Sequence, residues 1–396
     1  MTRRMAAVTV FGPLVLIVGF LAGCGPTGGT VRVDENALHS YLVFTAASGK
    51  DNVVTVTENG AFVLVSDTGD TIAPGEGCTR VDSDTASCDV PDFITMNLGD
   101  GNDEATNNTD YPSNLVVFGS DVRGIRGGPG NDTLHGGSLA DLLTGDEGDD
   151  TLDGNGGDDR LEEGATPAST DVLDVDTFEG GPGGDIAAYN NATQSVLVLL
   201  NNGADDGRSG EGDFVMPDVE HLTGGNAPDN LQGDADANVL RGGGNNDTLV
   251  GNEGGDTFFG EGGNDLLIEG GTATTTNVLD VDQFRGGEGT DRARYFTATV
   301  GVRIDIDDVA DDGRIGEGDD VRTDVEDLDG GQAGDTLIGD GDANRITGQP
   351  GNDALDGLGG NDTLSGGTGF DKLDGGTETD DCDVGPDGGS EENCET

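Results

Sequence analysis

The sequence predicts an all-β fold, a parallel solenoid laid down as a tandem array, and three observations lead there. A nine-residue phrase, Gly-Gly-x-Gly-x-Asp-x-Leu-x, recurs between Gly127 and Asp383. A longer unit of 106 residues overlies it with no insertion. The stretches between phrases alternate apolar with polar residues, the period of a half-buried strand: Val196, Val198 and Leu200 in one, Val300, Val302, Ile304 and Ile306 in the next.

From the N-terminus, residues 1–23 read as an export signal. Arg3 and Arg4 make a positive start, and Met5 to Gly23 is apolar and uncharged, as a cleaved leader requires. The segment ends in Leu21-Ala22-Gly23-Cys24, which resembles a bacterial lipobox. Cleavage before Cys24 would leave its thiol to carry diacylglycerol and hold the chain to a membrane. Residues 24–30 then form a lipid-anchored, flexible tether.

Residues 31–120 read as a β-rich cap, with alternation from Val53 to Val65 and two cysteines, Cys78 and Cys88. An exported chain oxidises its thiols. Short separations favour pairing Cys78 with Cys88 and Cys382 with Cys394, each closure contributing on the order of 3 kcal/mol. Cys382 takes the inward apolar place of the last nonad, so its bridge would close the end of the solenoid ahead of a C-terminal cap over 384–396.

The nonads fall into three rolls, over 121–162, 224–268 and 330–383, separated by spacers over 163–223 and 269–329. Each part of the phrase has a physical role. Glycines turn the chain tightly and bare its carbonyls, and the aspartate adds a carboxylate. Calcium seeks six to eight oxygen ligands, and such a loop offers oxygen alone. The three residues after the aspartate read as a short strand with one inward apolar side chain. These are Leu134, Leu143, Leu152 and Leu161, then Leu231, Leu240, Leu249, Phe258 and Leu267, then Leu337, Ile346, Leu355, Leu364 and Leu373. Two nonads complete a coil, so loops two nonads apart stack on one edge at about 4.8 Å.

These residues resemble the RTX family, whose calcium-binding nonapeptides form a right-handed parallel β-roll. The resemblance implies ions held between loops two nonads apart. Carried onto this chain, it pairs Asp132 with Asp150, Asp141 with Asp159, Asp247 with Asp265, Asp335 with Asp353, Asp353 with Asp371, and Asp362 with Asp380. Gly128, Gly130, Gly137, Gly148 and Gly157, together with Asp229 and Asp256, complete the implied metal-binding set. Asn238 and Asn344 replace aspartate, so the coils they share with Asp256 and Asp362 are expected to bind more weakly. Arg123 stands where a preceding aspartate would be, which places the start of the first roll at Gly127. Isolated nonads around Asp103, Asp185 and Asp291 have no partner in nine-residue register and are expected to stand apart from the rows.

The long repeat carries the rolls and spacers together. Asp205-Asp206-Gly207-Arg208-Ser209-Gly210-Glu211-Gly212-Asp213 recurs as Asp311-Asp312-Gly313-Arg314-Ile315-Gly316-Glu317-Gly318-Asp319. Such regularity favours stacking along one axis. The twelve-residue stretches ending at Asp213 and Asp319 faintly echo an EF-hand loop, but Ala204 and Ala310 take a ligand place and the last residue is Asp rather than Glu. A plain acidic turn is the better reading. A different calcium site using Glu211 and Asp213, or Glu317 and Asp319, stays open.

Charge sets the energetics. The whole chain carries −61, and the part beyond residue 23 carries −63. Carboxylates stacked about 4.8 Å apart repel by ~0.9 kcal/mol per pair even in bulk water, inside a Debye length of ~8 Å. One inward residue per nonad is a thin core. Divalent cations would neutralise the loops and link the coils, so binding energy becomes folding energy. The expectation is a largely disordered calcium-free chain that folds on adding the ion. Such acidity also excludes nucleic acid as a partner.

Nothing in the sequence points to catalysis. There is no HExxH, the three histidines (His39, His135, His221) are scattered, and Ser209 lies outside any Gly-x-Ser-x-Gly elbow. The reading is a non-enzymatic calcium-binding roll, exported and lipid-anchored at the cell surface, with calcium as its cofactor. A cell-surface glycan or protein stays open as a further partner. The alternative is an adhesin or a calcium-dependent polysaccharide-modifying enzyme built on the roll.

Overall fold

The computed structural model describes residues 28–35, 39–113, 115–116, 122–164, 174–201, 203–270 and 281–395. The export segment and Cys24 lie outside the described residues. All regular elements among the described residues are strands. The predicted all-β solenoid is what the chain forms.

Short strands stack in parallel because the nonads are equal in length, so each inward side chain lands on the one two nonads before. Leu134 pairs with Leu152 and Leu152 with Phe178. On the facing side Leu143, Leu161, Ala187, Leu222, Leu240, Phe258 and Phe284 follow one another in a single column. The inward leucines, Ile346 and Phe258 of the nonads are buried at 0–2 % exposure, and Cys382 in the last nonad at 8 %. The column widens to aromatic rings where Phe258 stacks on Phe284 at 4.9 Å between centroids.

Four sheets make the two faces. Sheet I extends from Gly29–Glu35 and Ile72–Pro74 at the N-terminal end to Gln283–Gly289 and Asp320–Val321. Sheet II faces its first part and ends with Thr177–Glu179 and Phe214–Val215. Sheet III begins at the hairpin of Val196–Leu199 with Gly207–Arg208, faces the rest of sheet I, and continues to Asp381–Asp383. Sheet IV begins at the equivalent hairpin, Val302–Asp305 with Gly313–Arg314, and faces the end of sheet III. At each spacer, therefore, one sheet stops and another starts while the opposite sheet runs on.

This continuity revises the sequence boundaries. Thr177–Glu179 pairs in parallel with Thr151–Asp153, and Ile186–Ala188 with Arg160–Glu162, so the spacers add coils to the solenoid and do not separate rolls. The parallel ladder also begins before Gly127, since Ile125 pairs with Met96 and Leu134 with Ala105. Gly29 and Thr30, read as tether, lie in a strand, with Thr30 opposite Thr45 and Ala73. Val300 is 41 % exposed and precedes its strand, while Val302, Ile304 and Ile306 are buried as expected.

Antiparallel strands close the N-terminal end. Val53–Asn59 and Phe62–Asp67 form a hairpin, and Thr85–Asp89 and Cys78–Arg80 extend it. Cys78 and Cys88 are directly opposed and bridged there. Cys382 and Cys394 are bridged at the other end.

Candidate metal centre

The aspartates of the nonads form rows along the edges of the solenoid, each tied to the next by one repeated bond. The main-chain N–H of Asp132 donates to Oδ1 of Asp150 at 2.7 Å. The same bond joins Asp141 to Asp159, Asp247 to Asp265, Asp335 to Asp353, Asp353 to Asp371, and Asp362 to Asp380, at 2.7–2.9 Å. All six pairs expected from the sequence are brought together.

The second carboxylate oxygen divides the rows into two classes. In Asp132, Asp150, Asp159, Asp247, Asp265, Asp353, Asp362, Asp371 and Asp380, Oδ2 is buried and accepts no hydrogen bond. It faces the first glycine of its own nonad: a methyl group added at Gly127 would lie 2.2 Å from Asp132 Oδ2 and 2.9 Å from the Gly145 carbonyl oxygen. At Gly348 the corresponding distances, to Asp353 Oδ2 and the Gly366 carbonyl, are 2.5 and 2.6 Å. A buried anionic oxygen with no donor is costly. Carboxylate and carbonyl oxygens bordering one small space are the donor set that calcium takes.

In Asp141, Asp229 and Asp335 that oxygen is satisfied instead. It accepts the N–H of Gly137, Gly225 and Gly331, at 2.5–2.6 Å. Asn238 and Asn344 behave alike, their Oδ1 accepting from Asp234 and Asp340 at 2.8 and 2.9 Å. The second residue of the nonad decides the class. Where it takes positive φ, as at Gly128 (109°), Asp146 (79°), Asn155 (66°) and Leu358 (64°), its N–H turns away from the carboxylate. Gly128 and Asp146 then donate to the carbonyls of Gly145 and Glu163 in the next coil. Gly130, Gly148 and Gly157 also sit at positive φ, and a Cβ at Gly148 would lie 1.9 Å from the Gly130 carbonyl.

The profile of the RTX calcium-binding nonapeptide repeat matches residues 125–161, 223–258, 242–268, 329–364 and 356–388. The chain carries RTX calcium-binding nonapeptide repeats over these segments. No curated protein matches it as a relative. RTX nonapeptide repeats bind calcium ions, and calcium is the cofactor.

The RTX rows are longer than the nonads alone imply. Asp103, Asp185 and Asp291, expected to stand apart, are in register: Asp103 N–H donates to Asp132, Asp159 to Asp185, and Asp265 to Asp291, at 2.7–2.8 Å. The steps are 29 and 26 residues, because more chain than two nonads lies between these aspartates. Sequence reasoning missed Asp176 and Asp213 as members; Asp150 donates to Asp176 and Asp176 to Asp213, both at 2.9 Å. The signal was present in the recurrence of Asp176 at Asp282 and of Asp213 at Asp319. Two rows close on glutamates, Glu220 and Glu326, which accept from Asp185 and Asp291.

The acidic turns of the spacers are flanked by strands, not helices. Asp206 accepts the N–H groups of Leu199 and Val215, and Asp312 those of Asp305 and Val321, so these carboxylates fix a turn. Tyr189 is buried and its hydroxyl donates to Asp213 at 3.1 Å; Tyr295 does the same to Asp319 at 3.0 Å.

Burial raises several carboxyls of the rows above their ordinary range. Asp132 and Asp353 reach about 7, and Asp150 and Asp247 about 8, through loss of water first and neighbouring carboxylates second. Asp176 is pushed up to about 10 by burial and by Asp213. Carboxylates so far from water need protons or cations.

Proposed function

We propose that the calcium of this RTX protein sits in the coils whose carboxylate Oδ2 has no donor, and that filling them folds and stiffens the array. The column of buried, donor-less Oδ2 atoms from Asp132 to Asp380 carries this reading. Glycine carbonyls of the same and the next coil supply further oxygens. Asp141, Asp229 and Asp335 begin rows and have both oxygens engaged, so their part is structural. On this reading Asn238 and Asn344 are row starts where no charge is needed.

Each ion adds two positive charges to a row of carboxylates that otherwise repel across successive coils. Binding then couples to order along the whole axis, because each coil contacts only its neighbours. RTX-repeat proteins are generally extracellular or secreted. The export segment over residues 1–23 and the lipobox-like Cys24 support a protein held to a membrane by lipid and displayed outside the cell, where calcium is abundant. The role is that of a calcium-set scaffold presenting its faces to a surface glycan or protein, without catalysis.

The test is far-UV circular dichroism of the chain from Gly25 onward, titrated with calcium beside a magnesium control. A cooperative gain of β-structure specific to calcium is expected. A spectrum already β-rich in chelator and unmoved by calcium would overturn the reading.

A further inference from the structure

The spacers hold a second kind of acidic centre, outside the nonads and outside the rows. Glu163 at the end of one strand, Asp174 at the entry to the next, and Glu211 in the acidic turn converge from three segments, at 2 %, 4 % and 6 % exposure. One carboxylate oxygen of each lies within 4.8 Å of the other two, the spacing of a cation-binding cage. At that point stands the guanidinium of Arg208. Its Nη2 is 3.1 Å from Glu163 Oε1 and 2.9 Å from Asp174 Oδ1, and also contacts Glu211 Oε1. Its Nε reaches Glu211 Oε2 at 3.0 Å, and the Arg208 main-chain N–H donates to the same oxygen at 2.7 Å.

The turn is shaped for this arrangement. Gly207, Gly210 and Gly212 all take positive φ, and a Cβ at Gly207 would lie 2.4 Å from Asp213 Oδ2 and 2.9 Å from Glu211 Oε2. Only a glycine there lets the turn fold Arg208 back beside Glu211. The next repeat, 106 residues on, rebuilds the arrangement: Arg314 Nη2 is 3.1 Å from Glu269 Oε1 and contacts Glu317 Oε1, and its Nε lies 3.0 Å from Glu317 Oε2.

We propose that the Glu163–Asp174–Glu211 cage is a cation site filled by the chain itself, with Arg208 standing where calcium would otherwise bind. Three buried carboxylates cannot all stay charged without a cation. A guanidinium is always charged and its flat fork serves several carboxylates at once. The array thus has two ways of neutralising its acids: ions from solution in the nonad rows, and a tethered arginine at the junction, which no chelator removes. Glu163 Oε2, buried and without a hydrogen-bond partner, marks the part of the cage the arginine leaves unfilled.

Native mass spectrometry of the chain from Gly25 onward at saturating calcium counts bound ions singly. Arg208→Met, which keeps the length and apolar stem but removes the charge, is expected to bind one ion more than the wild type. Arg208→Lys is expected to keep the wild-type count. An Arg208→Met chain that folds in calcium with the wild-type count would overturn the proposal. Should Arg208→Met not fold, Glu163→Gln decides. The proposal requires the wild-type count, whereas one ion fewer would mean that the cage already holds calcium beside Arg208. A wild-type chain with no bound calcium would instead sink the nonad reading, and the gain of an ion by Arg208→Met would still report on the cage.

Discussion

Asp265 and Asp291 are 26 residues apart, yet the N–H of the first donates to Oδ1 of the second at 2.7 Å, the bond that elsewhere joins aspartates 18 apart. The row therefore follows coils, not sequence distance. Its chemistry continues into residues that belong to no unbroken nonad run.

Within one row, position should decide function. Asp247→Asn removes charge from a donor-less carboxylate, and Asp229→Asn removes it from one already held by Val196 and Gly225. The calcium midpoint should rise about tenfold for Asp247→Asn, a loss of ~1.4 kcal/mol, and less than twofold for Asp229→Asn. Equal shifts in paired circular-dichroism titrations would contradict the two-class description. Asp150→Ala and Asp265→Ala belong with Asp247→Asn.

Protons should partly replace calcium. Asp150 and Asp247 rise from 3.8 unfolded to about 8 in the calcium-free fold, so the fold binds more protons than the unfolded chain between those values. Its stability is then full below the unfolded pKa and is lost as pH rises toward 8. In chelator, β-structure should increase on going from pH 8 to pH 5. At pH 5, where the protonated calcium-free fold is populated, calcium binding should release protons, measurable in a pH-stat; an uptake of protons would reverse the assigned sign.

Leu358 pays for its place in the second position of a nonad. It is 47 % exposed, with φ of 64° and no apolar burial in return. Leu358→Gly should stabilise the calcium-bound chain by about 1 kcal/mol, seen as a higher thermal midpoint. A lower midpoint would show that the leucine makes a compensating contact.

Loss of the last bridge should loosen one end only. Cys382 and Cys394 are 12 positions apart, and the Cys382→Ser/Cys394→Ser chain should lose about 3 kcal/mol of local stability. Hydrogen exchange in calcium should quicken over 354–383 and stay unchanged near Leu134. Uniform quickening would mean that the coils unfold as one body.

Much of this was legible in the sequence because the nonad is self-contained. Its inward leucines and its Asp-to-Asp pairs 18 residues apart follow from counting, and Leu134, Leu249 and Leu364 are buried where counting puts them. Counting failed wherever successive aspartates are more than two nonads apart: Asp103, Asp185 and Asp291 looked isolated because their steps are 29 and 26 residues. The division of the carboxylates was hidden for another reason. Gly128 and Gly137 occupy the same place in the phrase, and only the backbone angle separates them. Glycine permits either conformation, so its identity does not reveal which one is taken.

The exchange of sheets at the spacers resembles courses of brick laid in running bond. Sheet I spans the gap between sheets II and III, and sheet III spans the gap between sheets I and IV. No seam cuts through both walls at one height, so a pull along the axis never meets a plane crossed by side chains alone. Because each 106-residue unit moves the seam to the opposite wall, duplicating a unit would lengthen the column without weakening it. The arginine-filled junctions would then emerge on alternate sides, at a pitch fixed by the repeat.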